Sequence, residues 1–184
     1  MPYYYSPFRK EYDKVNRPEN RSSRPCVFCN QEKMSQDMLR NHHNIPVENE
    51  HYFWIVNWYP RAEAHTMLIP KRHIINIQDE TDEEVLARNL LLKQITTILQ
   101  NTFSDTGIEV FFQTGKGSLS SVEHLHWHII PTLPQHSLPG LEKFGYFYTT
   151  EPDTKKIITT PVDIKIARKG LMKLISKTCK KMDE

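Results

Sequence analysis

HLHWHII, residues 124–130, places an imidazole at every second position with apolar side chains between them. In an extended chain, successive side chains point to opposite faces. His124, His126 and His128 therefore share one side, and Leu125, Trp127 and Ile129 share the other. The second set can pack into a core, and the β-branched pair Ile129 and Ile130 suits a strand. Imidazoles two residues apart on a strand are expected roughly 6.5–7 Å from one another. Such an array suits three chemistries: holding a metal, transferring a proton, or supplying a nucleophile with supporting groups. The bland alternative is a half-buried strand with histidines on its wet side, and strict alternation of three weighs against it.

Working outward, HYFWIVN (51–57) and HTMLIP (65–70) read as strands joined by a loop around Pro60, the second stopped by Pro70. IEVFFQ (108–113) is a further strand, and the Gly/Ser stretch TGKGSLSS connects it to the histidine strand. KFGYFYTT (143–150) is expected as a fifth strand or β-arm. Thr81, followed three residues later by Glu84, forms a capping box opening a helix that runs to about Phe103. Leu91, Ile95, Ile98, Leu99 and Phe103 form its apolar stripe, and Gly107 is a stop signal nearby. Thr160 as N-cap, Pro161 and Asp163 announce a last helix.

Strands and helices are segregated, so the expected class is α+β, with a mainly antiparallel five-stranded sheet, a long helix and a C-terminal helix. The expected organisation is an N-terminal arm over 1–24, a domain core over 25–150 and a C-terminal helix extension over 151–184. On that last helix Lys165, Lys169, Lys173 and Lys177 form a basic stripe. It reads as a solvated face, with Ile164, Leu171, Leu174 and Ile175 packing inward; docking to an acidic partner is the alternative.

A chain of 184 residues accommodates one core with extensions. A net charge of +2 gives no electrostatic case for a nucleic-acid partner. The opening MPYYYSPFRK lacks the apolar run of a signal peptide, and no stretch approaches the roughly 18 apolar residues of a membrane span. Cys26, Cys29 and Cys179 are an odd count with one close pair, a poor disulfide framework. The expected setting is therefore reducing and cytoplasmic. CVFC has the spacing of half a zinc site and needs two further ligands; among nearby histidines, His42, His43, His51 and His73 compete.

Taken together, these residues resemble the histidine triad (HIT) family. Its signature, His-x-His-x-His and two apolar residues, matches 124–130 throughout. Upstream, Asn57, Pro60 and His65–Pro70 resemble the family's Asn, Pro and His-apolar-Pro strand, with Thr66 as a polar departure. Gln113 stands at the family's amide position, and SPFRKEY is similar to the stretch before CxxC in zinc-containing members. The likeness covers roughly 26–131. GSLSSVEHLHWH (117–128) is similar to diadenosine polyphosphate hydrolases and phosphorylases, with a longer spacer and with Ser120 where hydrolase branches often have Gln.

The resemblance implies a homodimer with nucleotide substrates, cleaved at the α-phosphate through a covalent nucleotidyl-His126 intermediate, with water or phosphate as second acceptor. To attack, His126 must present one unprotonated nitrogen, so its other nitrogen must donate, most simply to a neighbouring backbone carbonyl. His65 and His128 would contact phosphate oxygens and assist the leaving group, with Gln113 and Ser120 as further donors and Asn57 on the ribose side. Lys116 and Ser118, in the Gly115–Ser118 loop, would lie over a polyphosphate tail. The family-implied zinc set is Cys26, Cys29, His73 and His124, closed and structural. Alternatives are a nucleotide phosphoramidate hydrolase and a nucleotide-binding regulator with weak catalysis. Transfer to a sugar phosphate is disfavoured, because the related transferases tend to have Gln where this chain has His128.

Overall fold

The computed structural model describes residues 25–29, 47–57, 64–103, 106–115, 120, 122–132, 173 and 177. Five strands are present: β1 (Val47–Glu48), β2 (Tyr52–Val56), β3 (Thr66–Pro70), β4 (Gly107–Phe112) and β5 (Trp127–Thr132). They form one antiparallel sheet in the order β1-β2-β3-β5-β4. One long helix, α1 (Asp82–Thr102), follows a 3-10 turn at Ile77–Asp79. The α+β architecture is as expected.

The fifth strand is Val47–Glu48, a two-residue pairing whose sequence carries no strand pattern; KFGYFYTT, expected in that role, lies outside the described residues. So do the arm over 1–24 and the C-terminal helix, except that Lys173 and Lys177 are helical and exposed. Gly107 does not end the helix. Phe103 is the C-cap, and Gly107 opens β4. Among the described residues no helix is long and apolar enough to cross a membrane.

Both faces of the central strands are covered. Every residue of β2 and β3 is buried, which is why their sequences run apolar instead of alternating. On one face Tyr52, Trp54, Leu68, Leu125, Trp127 and Ile129 meet the helix stripe of Leu91, Ile95, Ile98 and Leu99. Burying each stripe residue is worth about 1.5–3 kcal/mol before chain entropy is counted. On the other face, Phe53, Ile55, Met67 and Ile69 pack with Phe28.

The capping box is complete. The Glu84 N–H donates to the Thr81 hydroxyl at 3.2 Å, and the Thr81 N–H donates to Glu84 Oε2 at 2.8 Å. Arg72, just past β3, grips the same carboxylate with Nε at 2.8 Å and Nη2 at 2.7 Å, tying the sheet to the start of α1. From the helix side Arg88 lies 4.7 Å over the Trp127 ring and donates to Glu80 Oε1 at 2.9 Å. Tyr52 also donates to that oxygen and packs edge-on against Trp127, with ring centroids 5.9 Å apart. The strand that carries the histidines is thus braced from behind.

Candidate active site and metal centre

His124 and His126 sit just ahead of β5, which begins at Trp127, and His128 is its second residue. The alternation holds across that boundary: Leu125, Trp127 and Ile129 enter the helix-side core, while the imidazoles face the other way. The spacing differs from that of a regular strand. The rings of His126 and His128 lie 4.8 Å apart, centroid to centroid, at 74°. They converge because the chain enters β5 from a bend over 122–124 instead of running straight.

His126 is 4 % exposed. Its Nδ1 lies 2.7 Å from the His124 carbonyl oxygen. A carbonyl only accepts, so Nδ1 carries the proton and Nε2 carries the lone pair. His128 occupies the middle of the sheet, pairing with Met67 of β3 on one side and Phe111 of β4 on the other. Phe111 stacks on its ring at 4.7 Å and 25°, and His128 Nδ1 lies 2.9 Å from His65 Nε2. One of those two nitrogens must donate and the other accept, so the pair shares a proton. The Asn57 N–H closes the loop onto the His65 carbonyl at 3.0 Å, and the Asn57 amide nitrogen lies 3.2 Å from His65 Nε2. Ala64, immediately before His65, has φ 58, a left-handed conformation that costs a non-glycine residue roughly 1–2 kcal/mol.

The remaining expected residues divide. Ser120 is buried, and its hydroxyl donates to the Val122 carbonyl at 2.8 Å, so in this conformation it braces the approach to the bend. Gln113, half-buried, follows β4 directly. Gly115 has φ 80, which a glycine tolerates at no cost; Lys116 and Ser118, just beyond it, lie outside the described residues.

Four side chains meet at the other end of the triad. The ligand atoms of Cys26, Cys29, His73 and His124 all lie within 4.8 Å of one another. His124 Nδ1 is 3.3 Å from Cys26 Sγ and 3.4 Å from Cys29 Sγ, and His73 Nδ1 is 3.0 Å from Cys29 Sγ. The Leu125 N–H, donating to the Ile74 carbonyl at 2.7 Å, is what brings the His73 segment alongside. A tetrahedral zinc with ordinary bond lengths separates its nitrogen and sulfur ligands by about 3.5 Å, so the four residues fit that ion. The outer contact fits as well: His124 Nε2 lies 2.9 Å from the Pro70 carbonyl, which fixes the proton there and turns the Nδ1 lone pair toward the thiols. Burial first, then the charges of His73 and His126, push His124 down to about 4, so it is neutral and ready to ligate. Burial and the neighbouring Cys26 push Cys29 up to about 11, so without a cation it stays a thiol. His51 is no member of the cluster; His42 and His43 lie outside the described residues.

Three site residues escaped the sequence reading. Phe28 contacts the rings of both His124 and His126, and Phe111 stacks on His128. The position of Phe28 inside CxxC was a usable signal, and so was the two-residue spacing of Phe111 and Gln113 in IEVFFQ. An alanine offers no sign of a left-handed conformation.

Comparison with known proteins agrees with this fold. The HIT domain family model matches residues 39–135. A HIT-like protein of Mycoplasma pneumoniae is 34% identical over 84 residues, covering 46% of this chain and 58% of its own. A bis(5'-adenosyl)-triphosphatase of Dictyostelium discoideum is 35% identical over 79 residues, 43% of this chain and 53% of that enzyme. The chain thus spans little more than half the length of either relative. Among solved structures, diadenosine triphosphate hydrolase of Plasmodium falciparum superposes with TM-score 0.55 at 20% identity, covering 75% of this chain and 77% of the enzyme. A Zn-bound histidine triad family protein of Mycobacterium smegmatis gives 0.53 at 20% identity, covering 86% and 95%.

Proposed function

The chain belongs to the HIT domain family, and from that premise we propose that it is a nucleotidyl hydrolase or phosphorylase acting at the α-phosphate of dinucleoside polyphosphates. The observation that carries this reading is the bond from His126 Nδ1 to the His124 carbonyl, which makes Nε2 the nucleophilic nitrogen. Neutral imidazole attacks well near pH 7 and forms a labile phosphoramidate.

His126 Nε2 forms a bond to the α-phosphorus as the bond to the bridging oxygen breaks. The leaving polyphosphate takes up a proton from His128, which His65 orients through their shared hydrogen bond. Water or inorganic phosphate then attacks phosphorus and returns its proton to His128, breaking the N–P bond and restoring neutral His126. Donors aimed at the phosphoryl oxygens, where charge builds, contribute roughly 10²–10³ in rate each; Gln113 serves there, His65 acts behind His128 instead of on the phosphate, and Asn57 lies on the ribose side. Cys26, Cys29, His73 and His124 would hold a zinc ion, and with four protein ligands such an ion would serve the structure and not the chemistry.

The similarity to the Dictyostelium triphosphatase supports the substrate class. The test is incubation with diadenosine tetraphosphate, with and without phosphate. AMP with ATP identifies water as acceptor, and ADP with ATP identifies phosphate. H126A abolishes turnover by either route while its circular dichroism and thermal midpoint stay near wild type. Near-normal turnover in that variant refutes the assignment.

A further inference from the structure

We propose that Phe28 is a positioning residue for the nucleophile, and that its flanking metal ligands Cys26 and Cys29 lock it in place, so that occupancy of the metal centre sets the rate of the chemical step. The proposal rests on the reading of His126 as the attacking group.

The geometry is specific. Phe28 is 6 % exposed, although its neighbours Val27 and Cys29 are exposed. Its ring meets His126 at 5.4 Å and 66°, and His124 at 5.6 Å and 87°, both edge-on arrangements at favourable distance. Below it are Phe53, Ile55, Met67 and Ile69 of the sheet. His126 is therefore held at Nδ1 by the His124 carbonyl, on one flank by Phe28, and on another by His128 at 4.8 Å. The carbonyl fixes the tautomer and restrains one ring nitrogen. The contacts with Phe28 and His128 then limit how far the ring can swing about that bond.

Among the described residues, Phe28 lies in a turn over 27–29. Side chains tie that turn to the domain: Phe28 in the apolar cluster, and the two sulfurs reaching His73 and His124. A cation bound by these four residues would close the turn onto the peptide that precedes the nucleophile. His124 belongs to both halves of the device, since its ring faces the sulfurs and its carbonyl holds His126. A displacement of the nucleophile by about 1 Å costs on the order of 10²-fold in rate, so a modest loosening of this turn reaches catalysis.

The test uses full-length protein in four forms: loaded with Zn²⁺, stripped with a chelator, and the variants F28L and F28Y. Metal content, kcat and KM on diadenosine tetraphosphate, and the ¹⁵N-imidazole resonances of His126 are measured on each. F28L keeps the apolar bulk and loses the ring edge; its metal content stays stoichiometric, its kcat falls roughly 10–100-fold with KM little changed, and the His126 resonance broadens. F28Y restores a ring and most of kcat. Stripping the wild type reproduces the kcat loss and the His126 broadening, and stripping F28L adds little further loss. Metal-loaded F28L with wild-type kcat and an unchanged His126 resonance overturns the proposal, as does stripped wild type with both unchanged. The His126 resonance reports on positioning whether or not His126 is the nucleophile, so a failure of that assignment, read from H126A, is separable from a failure of this one.

Discussion

Where a proton sits on an imidazole decides what the ring can do. At His126 that position is set by a backbone oxygen two residues earlier, and at His124 by the Pro70 carbonyl. In the proposed reading the same side-chain type serves as nucleophile at one position and as metal ligand at the other, distinguished by which nitrogen faces a carbonyl. Single buried charges follow the same logic of compulsory partners. The Glu80 side chain is fully buried, and its Oε1 accepts from Arg88 and Tyr52. R88A leaves that carboxylate without its counter-charge and takes the guanidinium off Trp127. It lowers the unfolding free energy by roughly 3 kcal/mol in urea titration. A loss below about 0.5 kcal/mol would show that the pair contributes little.

At the scale of elements, the start of α1 carries a measurable pH dependence. The hydrogen bonds from Arg72 hold the Glu84 carboxyl at about 2, against 4.5 for the free group, with the Thr81 N–H helping and burial opposing. A carboxyl whose pKa is depressed on folding adds stability above its unfolded pKa and loses it as pH falls through the folded one. The window is therefore about pH 4.5 down to 2. E84Q removes that part of the acid sensitivity and lowers stability at pH 7 by about 1–2 kcal/mol, screened by the half-exposed partner. An unchanged acid profile in thermal melts of E84Q contradicts the attribution. This cap was legible as Thr81-x-x-Glu84, because a capping box is a local rule. The helix stripe, β2, β3 and the alternation at 124–130 were legible for the same reason. The two-residue strand β1, the stack of Phe111 on His128 and the insertion of Phe28 beside His126 were not, since register and contacts across distant segments leave no local pattern. Gly107 misled because a glycine after a helix can equally open the next strand.

For the whole molecule, assembly is the open question that the surface addresses. Among the described residues β4 is an edge of the sheet. Val110 and Phe112 on it are each 38 % exposed, and Leu86 and Leu90 of α1 exceed half exposure. We propose that β4 pairs with its copy in a second chain and that apolar residues beside it are covered there. Sedimentation at micromolar concentration then gives a dimer, and F112E with V110E gives a folded monomer. A monomeric wild type contradicts this.

The central claim concerns one covalent bond. Full-length protein is mixed with diadenosine tetraphosphate, quenched at alkaline pH within the first turnover and digested for mass spectrometry. The peptide containing His126 is required to carry one nucleotidyl group, absent in H126A and consumed on a second incubation with water or phosphate. Complete turnover with no adduct, or with the adduct on any other residue, contradicts the account.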